Sequence, residues 1–458
     1  MPFDPRLAEI RFGCGLSPRL APPGSAAEML ARLTGPDDAA AAYPIARFST
    51  IQPQLHALQR ARRARRKAKT DAARRAAEDH YKDLRRTLRT DAARWTGHTF
   101  LRRALTRDAL RERLTAFWAD HFTARGVGQI WSFAHLPYIE EAIRPHVAGR
   151  FADMLRAAVA QPLMLSYLDQ YRSFGPNSPA ARGKRGLNEN LAREMLELHT
   201  LGANGPYTQA DVRQMAELLT GLTFDMKSGF AFRPDMAEPG AETVLGIHYG
   251  GADARLADIH AALDDLAAHP ATAAHVARKL AVHFVSDNPP PSLIRALTLR
   301  YTETAGDLAA VTDALLTHPD AWSTELRNVK QPVDFVGSAL RALDLVPRHL
   351  PLSNLRRMQN LLLTPMALMG QPMGAPPGPD GWPEDDPDWI TPQRLAARLQ
   401  WVMSAPFQLR RALPRPEAFL IAALGDSAPE PVKFAARAAE SRAEGIGIIL
   451  ASPAFQRF

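Results

Sequence analysis

Apolar residues recur three and four positions apart along most of this chain, the spacing that lays one face of an α-helix against a core. The pattern predicts helices over 104–123, 139–168, 188–201, 208–222, 255–267, 270–285, 305–317, 331–344, 391–404 and 434–450. Thr208 followed by Asp211 reads as an N-cap with an acid in the first turn, and Pro392 after Thr391 fits the first helical position. Strand alternation is scarce. Its one candidate is 229–249, where Phe230, Phe232, Val244 and Ile247 flank a turn-like Glu238-Pro239-Gly240, giving either a small hairpin or a long loop. Phe174 to Gly186 and the Pro/Gly/Trp-rich segment 366–389 read as loops, and the tryptophans of the second call for burial. No fixed period repeats. The expected fold is therefore mostly α, a multi-helix globular protein with long Pro/Gly-rich loops and at most a small β-hairpin, organised as one helical domain over 1–458.

One predicted helix is unusually polar. Asn188 to Gly202 carries Asn190, Glu194 and Glu197 on one face and Glu189, Arg193 and Glu197 on a second stripe. Leu191, Met195 and Leu198 supply an apolar strip, which makes the helix look buried, and Gly202 is placed to end it. Such groups form either a satisfied ion-pair network or a reaction centre, and both stay open at this point.

Composition changes the picture little. The chain has 458 residues, 46% of them apolar, enough for one large core or two smaller ones. Its start shows no basic stub followed by an apolar run, and no segment approaches the roughly 20 apolar residues of a membrane span, so a cytoplasmic protein is expected. A single cysteine, Cys14, excludes an internal disulfide and a Cys-rich metal site; it reads as packing. Charge is more informative. The net charge of +8 is concentrated in residues 60–103, where 16 Lys or Arg face five acids on a helical arm. Clustered Arg could bind a polyanion, but no nucleic-acid-binding fold accompanies the arm, and a solvated helical face is the preferred reading.

Seven short motifs, taken in order, carry a resemblance. They are Arg11-Phe12-Gly13-Cys14-Gly15, Phe117 to Phe122, Asn188 to Gly202, Tyr207 to Val212, Ala277 to Leu280 with His283-Phe284-Val285, Lys330 to Phe335, and Gly381-Trp382-Pro383. Together they resemble the bacterial domain-of-unknown-function family numbered eighteen hundred, over nearly the whole chain. The resemblance implies a helical protein, relatives of which many look exported, and a partner similar to alkaline phosphatases encoded nearby; it implies no established reaction. The chain also departs from the family pattern. Where many members have a His-Asp pair and a Lys before Leu-Gly, it has Ala237, Glu238 and Glu242 before Leu245-Gly246.

Two candidate sites follow from residue chemistry. His121, flanked by aromatics, is expected to be partly buried and neutral, the form that binds metal or accepts a proton; the plainer reading is a core histidine bonded to a carbonyl. Glu194 and Glu197 have the i, i+3 spacing of helical-bundle metal sites, so His121, Glu194 and Glu197 are the candidate catalytic and metal-ligating set for one divalent ion. Asn190, Arg193, Arg278, Lys279 and Trp382 are the candidate substrate-binding residues. In the competing reading Arg193, Arg278 and Lys279 neutralise Glu189, Glu194 and Glu197 and no chemistry occurs. The second candidate is the loop holding Trp382, Trp389, Asp380, Glu384, Asp385, Asp386 and Asp388. It could line a sugar cleft, but anchoring tryptophans with solvated acids are preferred, and a calcium loop fits its spacing poorly. No nucleophile elbow, phosphate loop or dinucleotide fingerprint is present. Function is thus expected to be either metal-assisted hydrolysis or a non-catalytic assembly or scaffold role beside the phosphatase-like partner.

Overall fold

A computed structural model describes residues 3–181, 186–426 and 428–458. The expectation of a mostly helical fold holds. The elements that position the site are α1 (Phe48–Lys67), α2 (Asp71–Leu105), α3 (Ala109–His121), α4 (Asn190–Glu194), α5 (Gln209–Leu218), α6 (Pro270–Phe284), α7 (Pro332–Ala342) and α8 (Pro392–Leu409). Among the described residues no helix is long and apolar enough to cross a membrane.

Local chemistry explains where the helices begin and where the expected ones divide. Thr208 and Asp211 form a reciprocal capping box at the start of α5, and Pro392 is the first residue of α8. The stretch predicted as one helix over 104–123 is two. α2 runs to Leu105, and α3 starts afresh after Asp108, whose carboxylate accepts from the Arg111 N–H at 3.2 Å. The expected 139–168 helix breaks into short turns and the helices Phe151–Val159 and Pro162–Tyr167, because Pro145 and Pro162 lack the N–H that a continuous ladder needs. α4 runs on as a π-helical turn over Met195–His199, and Gly202 adopts φ +88°, as a chain-reversing residue after a helix should.

The 229–249 segment, expected to be a small hairpin or a long loop, contributes strands to two hairpins. β1 (Leu222–Asp225) pairs antiparallel with β2 (Gly229–Phe232), and β3 (Gly240–Val244) with β4 (Ile247–Gly251). Glu238-Pro239 joins the two hairpins instead of turning either. The second turn is Leu245-Gly246, both at positive φ, which matches the twist of the paired strands. Of the 174–186 loop, residues 182–185 lie outside the described residues.

Two apolar clusters hold the molecule together. The first gathers residues from α1, α3, α6 and the Phe151–Val159 helix, among them Phe117, Trp118 and Phe151. The second is built from α7, α8 and the C-terminal helices around Phe335, Trp401 and Ile449. α2 serves both, giving Leu88 and Trp95 to the first and Phe100 and Leu101 to the second. The basic arm expected over 60–103 spans the end of α1 and most of α2; most of its Arg and Lys are exposed, but Arg102 and Arg103 near the end of α2 are buried. Cys14 is buried, its thiol pushed up to about 12 by desolvation, in keeping with packing.

Candidate active site

The polar helix is less buried than its sequence suggests. Leu191, Ala192, Met195, Leu196 and His199 face the core, but Glu189, Arg193, Glu194 and Glu197 are half-exposed and Asn190 is exposed. Arg193 donates to Glu189 at 3.2 Å and to Glu197 at 3.5 Å, one helical turn away on either side, and to Gln209 at 3.0 Å. The Glu194 carboxyl is raised, by desolvation first and by Glu197 and Asp380 next. Arg278 is exposed, and Lys279 pairs not with these acids but with Glu384 at 3.4 Å. Half-exposed i, i+4 pairs contribute about 0.3–0.5 kcal/mol each. The double substitution Glu194→Gln, Glu197→Gln is therefore expected to cost less than about 1 kcal/mol in chemical denaturation. A much larger loss would mean that this helix fixes the fold.

His121 ends α3 on the opposite, inner side of this arrangement. It is fully enclosed, and its Nε2 lies 3.1 Å from the His199 carbonyl oxygen, so Nε2 carries the proton and donates. The Nδ1 of His121 and both ring nitrogens of His199 find no hydrogen-bond partner among the described residues. The ring of His275 lies 6.0 Å from that of His121, and its Nε2 lies 3.0 Å from the Leu198 carbonyl oxygen. Desolvation, then the nearby Lys279 charge, holds His121 well below the usual imidazole range and His199 down at about 3. Both are neutral core imidazoles. Among the described residues no three His, Cys, Asp or Glu side chains group so as to hold a metal ion, so His121, Glu194 and Glu197 do not share one ligand set.

The residue next to His121 faces a cavity. Asp120 lies in the wall of a cavity of about 120 Å³ where α2, α3, α7 and the 366–389 loop meet, at the seam between the two apolar clusters. Its Oδ1 accepts the Trp382 N–H at 2.8 Å. Gly381 makes that approach possible. It sits at φ +86°, and a Cβ there would lie 2.5 Å from the same oxygen. Desolvation pushes the Asp120 carboxyl up to about 7. Lys279 and the Trp382 N–H oppose this rise, and Glu384 and Asp380 add to it.

The arginines around the cavity are already matched. Arg102 makes a bidentate pair with Glu140 at 2.6 and 3.1 Å. Arg144 bridges Glu112 at 2.6 Å and Asp37 at 2.6 Å. Arg103 bonds Asp334, which also has Arg113 at 3.7 Å, and Arg113 donates to His283 Nε2 at 3.3 Å. These pairs cancel one another's charge, so the cavity presents little net charge while Asp120 is protonated. Apolar Phe117, Leu136, Ile139, Val333 and Met373 complete its wall, and the Thr115 hydroxyl there has no partner among the described residues. A concave, largely apolar space with a few directed polar groups is the usual form of a small-molecule site.

Of the candidate substrate-binding residues, Trp382 lines this cavity and Lys279 acts on Asp120 through its charge. Asn190 and Arg193 lie on α4 and Arg278 on the exposed side of α6, none of them among the cavity's lining residues. The 366–389 loop is anchored by Trp389, which is buried and donates its indole N–H to the Pro383 carbonyl at 3.0 Å. Its acids are expected from sequence to be solvated, but not all of them are. Glu384 pairs with Lys279, and Asp386 accepts the Val329 N–H at 2.5 Å. Asp120, Arg102, Arg103 and Asp334 escaped the sequence reading. Asp120 and Asp334 lie inside quoted motifs, but a charged residue on a helix looks solvated until its neighbour is known.

Glu238 takes the Asn177 N–H at 2.9 Å and bonds the Asn177 side chain, and the Glu242 carboxyl is raised to about 7 by desolvation first and by neighbouring Glu217 next. Neither a curated protein nor a solved structure matches the chain. One family model, described as a protein of unknown function (DUF1800), matches residues 11–457, and with the Asp120 and Trp382 motifs inside that span, the chain belongs to this family.

Proposed function

We propose that this protein is an acid–base enzyme, most simply a hydrolase, acting on a small and largely uncharged polar molecule held in the seam cavity, with Asp120 as the proton-transferring group. The observation that carries the reading is geometric. A largely buried carboxyl lines the cavity, held by the backbone N–H of Trp382, a residue that lines the same space. A carboxyl that titrates near 7 can both give and take a proton at working pH, which is what a general acid or base requires. Ionised Asp120 would draw a proton from water or from a substrate hydroxyl, and protonated Asp120 would return it to the leaving group. Lys279, held by Glu384, keeps the ionised form accessible in a site that would otherwise suppress it.

The test is a screen of hydrolase substrates and metabolites by thermal shift, followed by turnover of the hits by the native protein and by Asp120→Asn. The variant keeps an acceptor for the Trp382 N–H but cannot titrate. Its kcat/KM is expected to fall by about 10²-fold or more, and the wild-type pH profile to bend near 7. Undiminished turnover by Asp120→Asn would overturn the assignment. Metal content of the natively purified protein, measured by plasma mass spectrometry, tests the metal-assisted version of the same reading.

A second reading, the assembly or scaffold role beside a phosphatase-like protein, is favoured by one feature. Leu399, Met403 and Phe407 are exposed in sequence on α8 at i, i+4 and i+8, a continuous apolar stripe of the kind that meets a partner. A role of that kind would leave Asp120→Asn functional and be lost in Met403→Glu with Phe407→Glu.

A further inference from the structure

A second concavity lies beyond the C-terminal ends of α7 and α8 and, unlike the nearly neutral seam cavity, is lined mostly by positive charge. It is about 190 Å³ in volume, an order of magnitude beyond the roughly 10–15 Å³ one water occupies, and is lined by Arg19, Arg348, His349, Arg410, Arg411 and a single acid, Asp344. Three distant segments converge to build it. Arg19 comes from the N-terminal stretch, Asp344 to His349 follow α7, and Arg410 and Arg411 follow α8.

Part of this cluster is framework. Arg19 grips both oxygens of Asp344 at 2.8 and 2.9 Å, which uses up the only carboxylate. Arg410 donates to the Leu343 carbonyl and is thereby fixed in place. The Val346 N–H donates to His349 Nδ1 at 3.2 Å, leaving the proton of the neutral ring on Nε2 as a further donor. Arg348 and Arg411 are different. Neither has an ion pair or hydrogen bond among the described residues. Every arginine of the seam cavity sits on a carboxylate, whereas here two guanidinium groups stand open beside a third that is anchored. The local field is strongly positive, and it adds to desolvation in holding His349 below its ordinary range.

We propose that this concavity is an anion site for a phosphate group, taken from a phosphorylated small molecule or a phospholipid headgroup. Guanidinium forks match the tetrahedral oxygens of phosphate in paired N–H···O bonds, and uncompensated Arg at a concave surface is the arrangement that binds it. Arg348 and Arg411 supply the free guanidinium groups, with His349 Nε2 as an added donor, while Arg410 and the Arg19–Asp344 pair hold the framework around them. The site is independent of the chemistry assigned to Asp120.

Two probes test it. Pyrophosphate is titrated into the full chain by calorimetry at constant ionic strength, and vesicles of phosphatidylglycerol or of phosphatidylcholine are co-sedimented with it. The same is done with the double variant Arg348→Ala, Arg411→Ala, whose side chains are exposed and unpaired, so its melting temperature without ligand is expected to equal that of the wild type. Saturable pyrophosphate binding that weakens roughly tenfold or more in the variant supports a soluble phosphate ligand. Sedimentation with phosphatidylglycerol alone, lost in the variant, supports a headgroup. Equal binding by variant and wild type, or no saturable binding of either probe by the wild type, overturns the site.

Discussion

Asp120→Asn is expected to make the protein more stable above neutral pH while removing its proposed activity. In the unfolded chain the carboxyl titrates near its ordinary value of 3.8, and in the folded protein at about 7. Between these values the folded state holds a proton that the unfolded state has lost, so stability falls as pH rises through that window and stays low above it. The shift corresponds to roughly 4 kcal/mol at most, an upper bound because Asp120 keeps some contact with solvent. Asparagine, uncharged at every pH, avoids this penalty. Urea denaturation at pH 5 and pH 8 should therefore show wild-type stability decreasing between the two, with a flatter profile for Asp120→Asn and a higher midpoint for the variant at pH 8. A gain in stability together with a loss of turnover is the signature of a group retained for chemistry at a structural cost. A variant less stable than the wild type at pH 8 would show instead that ionised Asp120 is well paired, with Lys279 as its true counter-ion.

The second large effect is expected at Asp334. Its carboxylate is the shared partner of Arg103 and Arg113, two guanidinium groups buried where α2 and α3 meet α7. Desolvation pushes this carboxyl up, but the charges of Arg113 and Arg103 outweigh it and hold the group below the usual carboxylate range. Asp334→Asn leaves two positive charges enclosed without a counter-ion, and such a loss costs about 3–5 kcal/mol. Chemical denaturation should register that decrease. Acid should produce the same weakening in the wild type, because a carboxyl lowered on folding gives stability that is present above its unfolded value and lost as pH falls through the folded one. A change below about 1 kcal/mol in Asp334→Asn would mean that solvent reaches the seam and that the two apolar clusters are held together by packing alone.

The contrast between Asp334 and the polar helix shows how ion pairs must be weighed. Both motifs look equally charged in sequence. Glu189, Arg193 and Glu197 repeat on one helix at i, i+4, and their half-exposed pairs exchange one solvated state for another with little net gain. Asp334 and Arg103 stand 231 positions apart and are enclosed from both sides. Spacing within a helix advertises the weaker interaction, and the stronger one leaves no local trace.

What the sequence determined by itself is that the fold is helical, together with the body of several helices and some of their ends. Apolar spacing marks the inward face of each, the Thr208–Asp211 box opens α5, Pro392 opens α8, and Gly202 reverses the chain after the polar helix. These are contacts within about four residues, so the information lies in adjacent letters. His121 could likewise be read as a buried neutral imidazole from its aromatic flanks. Tertiary structure alone decided which charges are buried and which group faces a cavity. Arg102 meets Glu140 from 38 positions away and Asp120 meets the Trp382 N–H from 262, and both depend on how two apolar clusters are brought together. Whether a charged side chain is solvated or enclosed, and therefore whether its proton affinity is ordinary or shifted, depends on what the rest of the fold places opposite it, and no local pattern encodes that partner.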